Sequence, residues 1–359
     1  MGLGRRVDQF RDHQARRLRP KLRRLIEFGV RPWLLRPSVA LVHGPAHVDY
    51  GLGELLVITV VRNGAPYVSA FMDHYQALGA AHHVFLDNGS TDDTIERLRR
   101  YPRVTVLRST KPYGRYENTM KRYLAERFSA GRWNLCVDID ELFDYPFSDQ
   151  LPLRSWLGYL NERGFTAVVA QMLDMFAAEP LIDLPDPLND VAIERYAYYD
   201  ISAIDAPPYE WAEPVNPAVR MHWGGIRRLV FGTDNGLTKA ALVLMNGRVK
   251  PFVQWHHATG ARIADVTAVL RHYPFTGAFA AKVVDAVRTG RYGSTTTAEY
   301  AAYGHTLERN PRLTLRGPTA QRDAGMQPLL DAGFLVASES YRRWVAVHSS
   351  IDRPAADRA

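Results

Sequence analysis

The chain has 359 residues, 46% of them hydrophobic, enough to bury a large core, so a disordered or fibrous protein is excluded. A single cysteine, Cys136, rules out an internal disulfide, and the longest apolar runs, such as Leu55 to Val61, fall far short of the roughly 20 residues a bilayer span requires. The net charge of +7 is concentrated at one end: residues 1–36 hold eleven Arg or Lys against Asp8, Asp12 and Glu27, a net +8 that leaves the remainder near −1.

In that basic stretch Val7, Phe10, Leu18, Leu22, Leu25, Ile26 and Phe28 interleave with arginines, partly at helical spacing, with Pro20 interrupting. Such a segment can lie on an anionic membrane surface, or pack as a solvated helix on its own body. No nucleic-acid-binding motif accompanies the charge, so nucleic acid is not expected as a partner. With no charged-then-apolar leader, the compartment expected is the cytoplasm, with peripheral contact at the inner face of the membrane as an option.

After a Pro- and Gly-dotted stretch from Pro32 to Gly53 the chain alternates. ELLVITVV (54–61) predicts a buried strand and Pro66 to Leu78 a helix ended by Gly79. HHVFLDN (82–88), a helix over 92–100, VTVLRS (104–109), a helix over 117–128 and NLCVDID (134–140) follow, and TAVVAQMLDMF (166–176) predicts a fifth strand. This order implies a mostly parallel sheet covered by helices, with ligands at the carboxyl ends of its strands. Residues 178–222 read as long loops, 266–290 as helical, and 299–307 and 326–347 as further helical segments.

Small polar clusters fall at the strand ends: Arg62-Asn63-Gly64, Asp87-Asn88-Gly89-Ser90-Thr91-Asp92 and Asp138-Ile139-Asp140. Two carboxylates at i and i+2 repel each other if unpaired, and a divalent cation removes that cost. Oxygen-only ligands suit Mg²⁺ or Mn²⁺, ions that bridge to substrate phosphates. Asp87 and Asn88 can meet a base or ribose at the strand end, while Gly89, Ser90 and Asp92 read as an Asx-turn and helix cap.

VVRNGAPYV, FMDHYQALGA, FLDNGSTDDT and VDIDELF together resemble the nucleotide-binding half of glycosyltransferase family 2, in its family 2-like branch allied to glycosyltransferase family 92. GGIRRLVFG, LTKAAL, WHHATGARIADVTAVLRHYPF and EYAAYG resemble its later blocks. The resemblance implies an α/β, GT-A (nucleotide-diphospho-sugar transferase) fold with a Rossmann-like, mostly parallel sheet. It implies a nucleotide-sugar donor, UDP-sugar first, and a glycan, lipid-linked or small hydroxyl acceptor in polysaccharide synthesis.

By position, Val61, Arg62 and Asn63 would line the nucleotide loop and Asp87 and Asn88 would face base or ribose. Asp138 and Asp140 would address ribose, metal and diphosphate, with Mn²⁺ or Mg²⁺ as cofactor and His257 completing the metal shell. Many members carry Asp where this chain has Asn88. Asp174, with Glu210 and Asp234 in reserve, would take the acceptor proton in an inverting displacement. Arg227, Arg228 and Lys239 could meet the diphosphate or an acidic acceptor, and Trp211, Trp223 and Trp255 could stack on a sugar or line the core. The implied organisation is a basic arm over 1–50, a transferase domain over 51–290 (nucleotide half 54–145, acceptor half 146–290), a helical extension over 291–347 and a disordered tail over 348–359.

Two other classes fit the same acids. A haloacid-dehalogenase-type phosphatase carries D-x-D at a strand end, but on its first strand and with Thr or Val where this chain has Leu142. A catalytically silent nucleotide-sugar-binding partner would keep the site without turnover.

Overall fold

The computed structural model describes residues 25–185, 191–211, 216–252, 257–292 and 294–349. Most of the basic arm, Trp255, His256 and nearly all of the tail lie outside the described residues.

The strands are β1 (Ala40–His43), β2 (Leu56–Val61), β3 (His82–Asp87), β4 (Val104–Arg108), β5 (Trp133–Cys136), β6 (Glu141–Asp144), β7 (Ala167–Asp174), β8 (Tyr198–Tyr199), β9 (Ile204–Asp205), β10 (Trp223–Gly224), β11 (Thr238–Leu244), β12 (Ala268–His272) and β13 (Gln321–Arg322). The helices are α1 (Arg31–Leu35), α2 (Val68–Leu78), α3 (Thr94–Leu98), α4 (Tyr113–Phe128), α5 (Leu153–Glu162), α6 (Ile226–Phe231), α7 (Phe279–Thr289), α8 (Ser294–Arg309), α9 (Met326–Asp331) and α10 (Glu339–His348).

Nine strands form one sheet in the order β1-β4-β3-β2-β5-β11-β7-β12-β6. β4, β3, β2 and β5 are mutually parallel, and β7 runs parallel to β12. β11 is antiparallel to both β5 and β7, so those two point the same way. Every residue of β2, β3 and β7 is buried, as expected of strands covered on both faces. Leu56, Ile58 and Val60 pack toward Met120 and Leu124 of α4, while Val57 and Val61 face Phe71 and Met72 of α2. The sheet is thus the middle of three layers.

Three features differ from the pattern of the sequence. β5 stops at Cys136, so Asp138 and Asp140 lie in the turn beyond it, and the chain then enters β6, which crosses to the far edge beside β12. Within 266–290 the first part is strand, because Thr267 to Leu270 have no exposed surface and are covered on both sides; helix begins only at Phe279. β11 enters the sheet from far along the chain with reversed direction.

The described part of the arm is docked. Arg122 of α4 donates to the Glu27 carboxylate and backbone carbonyl, its guanidinium lies 4.4 Å from the Phe28 ring, and β1 pairs with β4 at the sheet edge. Beyond the sheet, α8 packs on α6 and α7, and β13 pairs with β8.

Leu242, fully buried, pairs with Leu135 on one side and Val168 on the other. Leu242→Ala should cost about 2–5 kcal/mol in urea unfolding, whereas Leu229→Ala, at an exposed site, should stay within about 0.5 kcal/mol. His83 sits among Phe71 and Tyr75 with neither ring nitrogen hydrogen-bonded, and burial, then the neighbouring His82, lowers its pKa to about 4. Since this folded value lies below the ordinary 6.5, the unfolded chain binds the proton first. Its contribution is present above pH 6.5 and is lost as pH falls toward 4. Thermal unfolding from pH 7 to 5 should therefore show a falling midpoint, with a shallower fall in His83→Leu.

Candidate active site

The parallel strands place their carboxyl ends on one side, and strand order reverses between β2 and β5, where open α/β sheets form their ligand crevice. From β2 the chain leaves as Arg62-Asn63-Gly64. Asn63 adopts a left-handed φ of 52°, and its side-chain oxygen accepts from the Thr91 amide at 2.8 Å. The Gly64 and Ala65 amides donate to Thr94 and Asp92, so the loops after β2 and β3 are stitched together. A Cβ on Gly64 would come within 2.6 Å of Val61 and 3.1 Å of Ile139. Glycine there lets the β2 turn close onto the residue between the two aspartates.

Asp87 has no exposed surface; its carboxylate accepts from the Gly89 and Ser90 amides and faces Arg108 at 3.3 Å. Asn88 donates both amide hydrogens, to the carbonyls of Ser109 and Lys111. Both side chains shape the rim of the crevice, and the groups expected to meet a base or ribose are turned inward to the backbone. Val61 is buried, whereas Arg62 is exposed at the mouth.

The turn after β5 is where charge collects. Lys121 of α4 lies 3.2 Å from one Asp138 carboxylate oxygen and Lys239 of β11 lies 3.1 Å from the other. Glu141, buried, accepts from Lys239 and from the Asp138 amide. Burial alone would lower the Lys239 pKa, but Asp138 and Glu141 outweigh it and hold the ammonium above its ordinary value.

Asp140 faces Lys282 of α7 at 3.5 Å and His272 at 3.6 Å. Burial would raise its pKa, yet Lys282 and then His272 keep the carboxyl well below the usual range. His272 continues to Asp174, its Nδ1 being 2.6 Å from the carboxylate. Burial opposes its charge, and Asp140 and Asp174 together raise its pKa to about 9, so it is an imidazolium at neutral pH.

Asp174, the expected base, is held from two sides. Arg227 donates to both of its oxygens, at 2.7 and 2.8 Å, and Arg227 with His272 overcomes burial to hold the carboxyl well below its ordinary value. Its contacts fix the places of Arg227 and His272. The reserve Asp234 is exposed and paired with Arg228, and Glu210 is exposed.

His257 is corrected. Its ring stacks on Trp211 and its Nδ1 shares a hydrogen bond with Tyr209, within a core cluster on the α4 side of the sheet. Among the described residues no three of His, Cys, Asp and Glu form a group able to hold a metal. Asp138 and Asp140 still fit a divalent ion, because Mg²⁺ and Mn²⁺ are commonly carried by one or two carboxylates plus waters and substrate phosphates. Trp211 is occupied by His257, and Trp223 packs against Gly236.

Sequence reasoning left Glu141 without a role and missed Lys121 and Lys282. The signal for Lys121 is its place on the buried side of α4, beside Met120, Leu124 and Ala125. A lysine among such neighbours requires an acid partner.

No family model matches the chain, and no curated protein matches it. Among solved structures, a mannosyltransferase from Pyrobaculum calidifontis in complex with GDP-Man and Mn²⁺ matches 91% of this chain and 95% of its own at 16% identity, with a TM-score of 0.34. TarS of S. aureus (residues 1–349) matches 34% of this chain at 16% identity with a TM-score of 0.25, and a 4-diphosphocytidyl-2C-methyl-D-erythritol synthase matches 36% at 11% with 0.22. Those two matches span 35% and 64% of the respective proteins. Similarity at this level says nothing about the activity of this chain.

Replacing Asp174 with Asn would leave Arg227 and the His272 imidazolium facing a neutral amide. Asp174→Asn should destabilise the protein by about 3–5 kcal/mol in urea unfolding, while Asp234→Asn should stay within about 0.5 kcal/mol.

Proposed function

We propose that this protein transfers a sugar from a nucleoside diphosphate sugar, UDP-sugar first, to a hydroxyl on a glycan, lipid-linked or small acceptor, by inverting displacement, the acceptor's proton passing to Asp174 as the diphosphate departs. One observation carries the reading: Asp138 and Asp140 leave β5 at the reversal of strand order and are ringed by Lys121, Lys239 and Lys282. Acids alone would suit a metal and cations alone a simple anion. The two together suit a ligand whose negative charge grows as a bond to carbon breaks.

The loop after β2, with exposed Arg62, would face the nucleotide, and the rim built by Asp87 and Asn88 would fix that loop's distance from β5. Lys121 and Lys282 would turn toward the diphosphate oxygens, with Lys239 kept on Glu141. Asp138 and Asp140 would hold Mn²⁺ or Mg²⁺, which when bound supplies Lewis-acid stabilisation of the departing diphosphate. Arg227 and His272, held by Asp174, would present fixed positive charge on the sugar side. The family resemblance of VVRNGAPYV, FLDNGSTDDT and VDIDELF is consistent with this division of labour.

Thermal unfolding with UDP, GDP, UDP-sugars and GDP-sugars, each with and without Mn²⁺, tests the reading. A nucleoside diphosphate at 100 times its Kd should add about 2.7 kcal/mol of stability, and Asp138→Asn should lose the increment due to Mn²⁺. Failure of every nucleotide and nucleotide sugar to raise the midpoint, with or without metal, overturns it.

A further inference from the structure

The segment before the sheet carries an apolar surface that the core does not use. Its inner side is anchored: Leu35 is fully buried, Glu27 binds Arg122, and the Phe28 ring lies under that guanidinium. A π-helical turn over Ile26–Val30 runs into α1, and along this helical segment Ile26, Val30 and Trp33 follow one another at spacings of four and three residues, with Leu25 beside them, and all four are exposed. Trp33 is 73% exposed and Leu25 63%. The outward stripe of a water-facing helix is ordinarily polar, and an aliphatic stripe bearing a tryptophan is the pattern of a helix lying in the headgroup region of a bilayer.

Charge identifies the occupant. The stripe belongs to residues 1–36, which hold eleven Arg or Lys against three acids. A second copy of this chain would bring the same positive excess to the contact and be repelled. An anionic lipid surface would be attracted by it. Among the described residues no helix is long and apolar enough to cross a membrane, so binding here is at the surface.

We propose that the Leu25–Trp33 stripe docks the protein on membranes rich in anionic lipid, with the apolar side chains entering the headgroup region and the positive excess of residues 1–36 drawing the chain to the anionic surface. Fixed to α4 through Arg122, the docked segment would hold the sheet at a set angle to the bilayer. This inference is independent of the glycosyltransferase reading, since it makes no use of the crevice.

Flotation of the full chain with phosphatidylcholine vesicles, with and without phosphatidylserine, tests it. Binding is expected only with phosphatidylserine, is expected to fall in high salt, and should weaken about tenfold or more in Trp33→Glu, an exposed substitution that leaves the unfolding midpoint unchanged. Absence of binding to phosphatidylserine vesicles overturns the proposal, as does equal binding by Trp33→Glu. Self-association in lipid-free solution that Trp33→Glu abolishes would assign the stripe to a second copy and overturn it too.

Discussion

Glu141 carries a carboxylate to a place with no exposed surface, beside a second acid in Asp138, and a charge in that position persists only where its partners are already fixed. Those partners are the Asp138 amide, which belongs to the same turn, and the Lys239 ammonium, which belongs to a strand about a hundred residues further along. Once formed, the contact locks the corner between β5 and β6 and ties it to β11. The position of Asp138, and through Ile139 that of Asp140, follows from it. So does the orientation of Gly64 against Ile139, which sets the width of the crevice at the β2 end.

A second buried set extends the same logic from Asp140 through His272 to Asp174 and Arg227, and on to Glu299 of α8. Each acid has a cation against it and each cation an acid. The crevice is therefore lined by side chains whose charge is preset rather than induced by what enters. Such an environment can follow a shift of negative charge with little reorganisation, the condition under which fixed dipoles and charges act most strongly on a reaction.

The first half of the sheet was legible in the sequence because β2, β3 and β4 announce themselves by largely apolar runs and α2 by its glycine stop at Gly79. The acids at the strand ends were legible for the same reason: a polar pair directly after such a run has few places to go. What the sequence concealed depends on partners distant along the chain. The lysines that flank the carboxylate pair come from α4, β11 and α7, and nothing in VDIDELF discloses them. Asp174 stands out because its strand end faces the crevice, and nothing local to QMLDMF discloses its partner Arg227. The 266–290 stretch read as helix because a short buried run has no periodicity to separate strand from helix.

β11 also governs when the molecule can become whole. Both strands it joins, β5 and β7, precede it in the chain, and β6, made early, has its strand partner among the described residues in β12. During synthesis the first four parallel strands can pair as they emerge, but β5, β6 and β7 must wait with open hydrogen-bonding edges until the later strands arrive. Non-local closures of this kind slow folding and leave apolar edges exposed to other chains in the interval. The strand that supplies Lys239 to the crevice therefore joins β5 to β7, and the period ends only when β12, later still, covers β6 and the far edge of β7 and brings His272 to Asp140.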